Sequence, residues 1–214
     1  AVQVFEDGSM VDRIHIIQKA LTQEGIEDIA EVSLPPGAQV LALRTIKADG
    51  TVLEPEDIEG KDTISMPGVQ VGDYVQQEYL MAHARRGPAQ PGFTAAAFYF
   101  QLAGVPNAWS TYVVSAPKDL GMTVDAHNVR SPQPRIEGDQ SVYRHEQRHV
   151  PPWIPEPDAP PSGTEFLPWV QLGAGTRGND ALVAAYAEAF IDRGRVTNEI
   201  EAFAKAAAGG RTGL

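Results

Sequence analysis

Turn signals cut the first 150 residues into short β-rich runs. Glu6-Asp7-Gly8-Ser9, Leu34-Pro35-Pro36-Gly37, Ala48-Asp49-Gly50-Thr51 and Pro67-Gly68 punctuate short β-rich stretches, the signature of strands joined by tight turns. Residues 39–48, then Asp49-Gly50, then residues 51–53 read as a hairpin, because an Asp-Gly pair tolerates the positive φ angles of a tight turn. Residues 74–81, 93–102, 109–115 and 141–150 read as further strands. Within 93–102, Phe98, Phe100 and Leu102 share one face at period two while Tyr99 and Gln101 share the other, a half-buried pattern. The 20 glycines and 17 prolines among 214 residues exceed the usual combined share of about 12%, which favours turns over a helical bundle. The expected fold is mainly β, an antiparallel β-sandwich with immunoglobulin-like layers.

The pattern changes after residue 150. Residues 151–161 hold six prolines, which fix φ and remove amide donors, so an extended, polyproline-like strap is expected. A last apolar run, 166–172, precedes a change of period. Leu182, Tyr186 and Phe190 recur every four residues, as on one helix face. Asp180 stands near the start of that helix and Gly194 at its stop; Asn198 with Glu201 reads as a capping box opening a second helix, which Gly209-Gly210 ends. One or two C-terminal α-helices therefore follow the sandwich. The organisation expected is 1–172 as a β-sandwich domain including the strap, and 173–214 as a glycine hinge and helices.

Charge and composition exclude several classes of function. A net charge of −11 repels phosphate backbones and anionic headgroups, so nucleic acid is not an expected partner. The chain has no cysteine, which removes disulfides, thiolate zinc sites and any Cys nucleophile. No run approaches 18 apolar residues, so no membrane span is expected, and the opening lacks a basic signal region, as a processed start does.

Two motifs match catalytic or cofactor patterns and fail on context. His145-Glu146-Gln147-Arg148-His149 satisfies H-E-x-x-H, in which two imidazoles one helical turn apart share zinc and the glutamate acts as base. The segment reads as a strand, Pro151-Pro152 forbids helical continuation, and four residues of extended chain separate two backbones by about 13 Å. Two nitrogens on one zinc lie within about 4 Å of each other. Gly173-Ala174-Gly175-Thr176-Arg177-Gly178 matches G-x-G-x-x-G, but no strand with an acid follows about 20 residues later, as a dinucleotide fold requires. It reads as a hinge. Glu54, Glu56, Asp57, Glu59 and Asp62 fit no calcium loop, and His83-Ala84-Arg85-Arg86-Gly87-Pro88 is a basic turn. His15 and His127 have no evident partners, and there is no G-x-S-x-G elbow. No catalytic, cofactor or metal residue is nominated. Phe93, Phe98, Phe100, Trp109 and Tyr112 read as core and cross-strand pairs; an aromatic face built from Trp109, Tyr112, Trp153 and Trp169 is the alternative, a glycan- or peptide-binding module.

Asp7-Gly8-Ser9, His15-Ile16-Ile17 leading to Gln23-Glu24-Gly25, Arg44-Thr45-Ile46-Lys47-Ala48-Asp49-Gly50-Thr51 and Pro67-Gly68-Val69-Gln70-Val71-Gly72-Asp73-Tyr74-Val75 occur in the order found in the DUF3857 family. The resemblance covers residues 1–172, ending in a strand and acidic Pro-rich strap at 143–161. That family is an N-terminal β-sandwich domain found ahead of a transglutaminase-like domain in bacterial proteins. Residues 196–205 resemble the helix leading into that domain. The resemblance implies a non-catalytic accessory module of a larger envelope, periplasmic or secreted protein. It also implies a downstream transglutaminase-like domain as partner, holding the Cys-His-Asp set. Leu182, Tyr186, Phe190, Ile200 and Phe203 are the candidate interdomain contacts. An uncovered apolar face of this kind promotes self-association of the isolated chain.

Overall fold

A computed structural model describes residues 1–55, 63–84, 93–156, 166–174, 183, 184, 186–188, 190, 191 and 194–209. In chain order its strands are β1 (Val2–Val4), β2 (Met10–Lys19), β3 (Glu31–Val32), β4 (Gln39–Ile46), β5 (Val52–Leu53), β6 (Ile64–Ser65) and β7 (Tyr74–His83). They continue as β8 (Phe93–Thr94), β9 (Phe98–Tyr99), β10 (Asn107–Pro117), β11 (Met122–His127), β12 (Arg135–Glu137), β13 (Gln140–Val150) and β14 (Trp169–Ala174). Helix α1 (Gln23–Ile29) follows β2, a 3₁₀ turn (Lys118–Leu120) follows β10, and α2 (Asn198–Ala208) lies near the C-terminus.

Eight strands form one open sheet in the order β12-β13-β10-β1-β2-β7-β4-β5. All neighbours are antiparallel except β1 and β10, which run parallel with Val2 opposite Val114. A second sheet, β11-β14-β8 with β9 also on β14, and a β3-β6 pair complete the strands. The mainly β, layered architecture is the one the turn spacing predicts.

Both layers lie on one face of the large sheet. Under the second sheet, Val2, Val4, Phe100, Tyr112, Val114, Tyr143, Val170 and Leu172 form the larger core. Alternation puts them there: Tyr112, Val114 and Ala116 of β10 are buried, and Val113 and Ser115 between them are less so. A smaller core of Ala20, Ile29, Val32, Met66 and Val75 sits under α1 and the β3-β6 pair. Helix α1 is held at its start by Thr22, whose hydroxyl accepts from the Gly25 amide at 3.0 Å.

A buried carboxylate ties the turns beside the smaller core. Asp73 accepts from the Lys47 ammonium, the Ala48 amide at 2.9 Å and the Gln70 amide at 2.8 Å. Its own carbonyl accepts from the Ala20 amide at 3.0 Å. The end of β2, the β4-β5 hairpin and the turn before β7 thereby meet at one residue. The Asp49-Gly50 turn forms as expected, with Gly50 at φ +89 and the Thr51 amide donating to Asp49 at 2.9 Å.

Four sequence expectations are revised. The strand expected at 93–102 is two short strands, β8 and β9, because this segment pairs with β14 in separate steps: the Ala95 amide donates to Leu172 and the Phe100 amide to Pro168, each at 2.9 Å. Leu102 leaves the shared face and is exposed. Gly173 and Ala174 are the last residues of β14 and are buried, opposite Thr123 and Met122, so they belong to the sheet and not to a hinge. Residues 175–178 and the second part of the strap, 157–161, lie outside the described residues. Helix α2 is capped by Thr197, whose hydroxyl accepts from the Ile200 amide at 3.3 Å, which places Asn198 inside the helix and not at its cap.

Two predictions test this packing. Phe100 is fully buried, so Phe100→Ala should cost about 3–5 kcal/mol, read as a lower urea midpoint at unchanged slope. The Lys47 hydrogen bond, then the Ala48 and Gln70 amides, hold the Asp73 carboxyl below its ordinary value. Its stabilising contribution is therefore present above the unfolded carboxylate pKa of about 3.9 and lost as pH falls through the lower folded value. Asp73→Asn should lower the midpoint at neutral pH and flatten its dependence on acid below pH 4.

Candidate functional site

The H-E-x-x-H residues lie on β13, whose alternation sends His145 and Glu146 to opposite faces while extended chain carries His149 away to the strand end. His145 points into the larger core and is 1% exposed. The Ser131 hydroxyl lies 3.3 Å from its Nε2, and its Nδ1 is buried with no partner among the described residues. Glu146 faces the other side, where its carboxylate accepts from Arg148 at 2.7 Å and Arg144 at 3.0 Å. Those two guanidiniums, Arg148 foremost, hold its carboxyl below the ordinary range. A carboxylate so held is a poor base. His149 is exposed at the strand end with φ +54. Among the described residues, no group of three or more His, Asp or Glu side chains is placed to hold a metal ion.

The other histidines have partners that sequence alone leaves invisible. His15 Nε2 lies 2.8 Å from the Gln76 amide, whose oxygen accepts from Arg44 at 2.7 Å. His83 meets Asp12 at 3.0 Å. His127 stacks on Trp169 with ring centroids 6.3 Å apart. Each pair joins neighbouring strands, so each depends on register. Arg85 to Pro88, and Glu56, Asp57, Glu59 and Asp62 of the acidic stretch, lie outside the described residues.

The aromatic residues do not form one surface. Tyr112 is buried against Phe98, with ring centroids 4.8 Å apart. Burial raises its hydroxyl pKa well above the ordinary value. Trp109 is exposed on the opposite face of the large sheet, under the Arg148 guanidinium. Trp169 stands beside His127 on the outer face of the second sheet, and the Trp153 amide donates to Leu102 at 2.9 Å, fastening the start of the strap.

The C-terminal helical segments carry exposed apolar side chains. Tyr186, Phe190, Ile200 and Phe203 are all exposed, Phe190 by 81% and Phe203 by 75%. Leu182 lies outside the described residues. Val183, Ala187 and Ile191 join Tyr186 and Phe190 in a shallow apolar depression. These three are sequence neighbours of the period-four set, and the same periodicity counted at i+3 and i+4 identifies them. The Gly194 amide donates to Phe190 at 2.8 Å, closing the segment where the sequence places its stop.

This is a mainly β domain, two layers on one sheet face, followed by C-terminal helical segments with exposed apolar side chains. Residues 6–154, more than half the chain, match the family model described as a domain of unknown function with solved structure, DUF3857. The chain belongs to the DUF3857 family. It is also similar to a crystal structure from Parabacteroides distasonis ATCC 8503, provisionally described as a protease. That match has a TM-score of 0.74 and 13% identity, over 99% of this chain and 45% of that one. The likeness shows the fold, and this chain spans less than half the length of the protein it matches. No curated protein matches.

The buried imidazole generates a pH dependence. Burial lowers the His145 pKa below its ordinary value. The unfolded chain then binds a proton that the folded chain refuses. Stability is full above about pH 6.5 and falls as pH drops from there toward the lower folded value. His145→Asn should reduce that slope, measured as urea midpoints between about pH 7 and 5.

Proposed function

We propose that this chain is a non-catalytic accessory domain of a transglutaminase-like protein of the bacterial envelope. It positions, or restricts access to, a neighbouring Cys-His-Asp domain. The carrying observation is the apolar set Tyr186, Phe190, Ile200 and Phe203, exposed together on C-terminal helices. Apolar patches of this kind mark interaction surfaces. Family membership supports the reading, as does the matched structure, of which this fold is under half. The sequence contains no cysteine, so the nucleophile of such chemistry belongs to another domain.

The test is to express residues 1–214 alone and together with the coding sequence that follows. A following domain with the Cys-His-Asp set should bind residues 1–214 and raise their thermal midpoint. Phe190→Asp should weaken binding by about tenfold or more, as loss of an apolar anchor does. A following sequence without that set, or two parts indifferent to each other, overturns the proposal.

A further inference from the structure

Strand β1 is shorter than both of its neighbours. Val2 stands level with Val114 of β10 and with Asp12 of β2, so Ala1 stands level with Val113 and Arg13. Past Ala1 both neighbours run on for six more residues, β10 over 107–112 and β2 over 14–19. Their outer edges are paired along that length, β10 with residues 145–150 of β13 and β2 with residues 74–79 of β7. Their inner edges face each other, and among the described residues no strand lies between them.

The backbone phase shows which groups are bare. The Ala1 nitrogen donates to the Arg13 carbonyl and the Arg13 amide to the Ala1 carbonyl, each at 2.7 Å, so Arg13 turns both of its backbone groups toward β1. Every second residue of a strand turns the same way. His15 and Ile17 therefore direct their N–H and C=O groups toward β10 and meet no strand there among the described residues. Ala20, of the opposite phase, donates to the Asp73 carbonyl just before β7, as this alternation requires. Side chains repeat the pattern: Ile14 and Ile16, on the core-facing side, join neither core, and Ile16 is 37% exposed. Burial lowers the pKa of the Ala1 ammonium below its ordinary value. An uncharged peptide N–H makes the same bond to Arg13 without that desolvation.

We propose that these facing edges are the acceptor for one further stretch of β-strand of the same polypeptide, joined to Ala1 and running in line with β1, parallel to β10 and antiparallel to β2. Two strand spacings, about 10 Å, separate the neighbours of β1, and six extended residues reach about 20 Å, so one strand fits the site in width and length. Its backbone pairs with the bare groups of His15 and Ile17. Its first side chain beyond Ala1 stands level with Tyr112 and Ile14, and its third with Ser110 and Ile16, on the core-facing side. Continuity with Ala1 favours this occupant over a separate strand, which would end against the Ala1 ammonium. The inference rests on sheet register and is independent of the C-terminal helices.

Hydrogen exchange at single amides tests the site. In residues 1–214 alone, the His15 and Ile17 amides should exchange about tenfold or more faster than those of Ile14 and Ile16, which pair with β7. Lengthening the chain by the six residues that the coding sequence places before Ala1 should slow His15 and Ile17 by about tenfold or more and raise the thermal midpoint. His15 and Ile17 amides already as slow as Ile14 and Ile16 in residues 1–214 overturn the inference. So does a lengthened chain in which they stay fast, or a coding sequence with fewer than six residues before Ala1. Slowing by the same six residues added as a free peptide, but not when attached, also overturns it and assigns the site to a separate partner strand. None of these outcomes bears on binding to the following domain, so the two readings fail separately.

Discussion

The large sheet depends on a three-residue strand. Among the described residues, β1 is the only strand that joins β12-β13-β10 on one side to β2-β7-β4-β5 on the other. It pairs in parallel with β10 and antiparallel with β2, and it buries Val2 and Val4 in the larger core. Reciprocal hydrogen bonds at 2.7 Å between Ala1 and Arg13 extend the pairing by one residue. Without it the sheet becomes two open halves, each with unpaired backbone donors and acceptors at a new edge. The register it sets puts Tyr112, Val114 and Tyr143 under the second sheet.

Burial of polar groups follows from the same pleat. Alternation sends His145 inward and Glu146 outward, so two neighbours in one motif have opposite fates. The imidazole remains neutral in the core, and the carboxylate is held between two arginines. A motif that needs its side chains on one helical face is dismantled by a strand. Asp73 makes the converse case: a charge is buried successfully because an ammonium and two amides meet it.

Much of the fold was legible. The Asp49-Gly50 hairpin, β7, β10 and β13 follow from turn residues and period-two patterning, and the helical segment near 186–190 follows from period four. Helix α1 was not legible, because seven residues carry too little periodicity and the smaller core supplies its stability. The split of 93–102 was not legible either, since its strands pair with β14, about 70 to 80 residues further along the chain. Of the candidate contacts, Tyr186, Phe190, Ile200 and Phe203 were readable from the sequence, which also leads to the expectation that they are uncovered, and all four are exposed.

The amino-acid sequence by itself determined the class of elements, the turns, the absence of a Cys nucleophile and family membership. Each of these is local or compositional: a φ preference, a periodicity, a residue type, an ordered set of motifs. Tertiary structure alone decided that β1 enters between β10 and β2, that both layers share one sheet face, and that, among the described residues, Ile14, Ile16, Tyr79, Met81 and Val40 join neither core. These are outcomes of pairing between distant segments. A strand's sequence states which side chains share a face, but what covers that face depends on the elements that the rest of the chain brings to it.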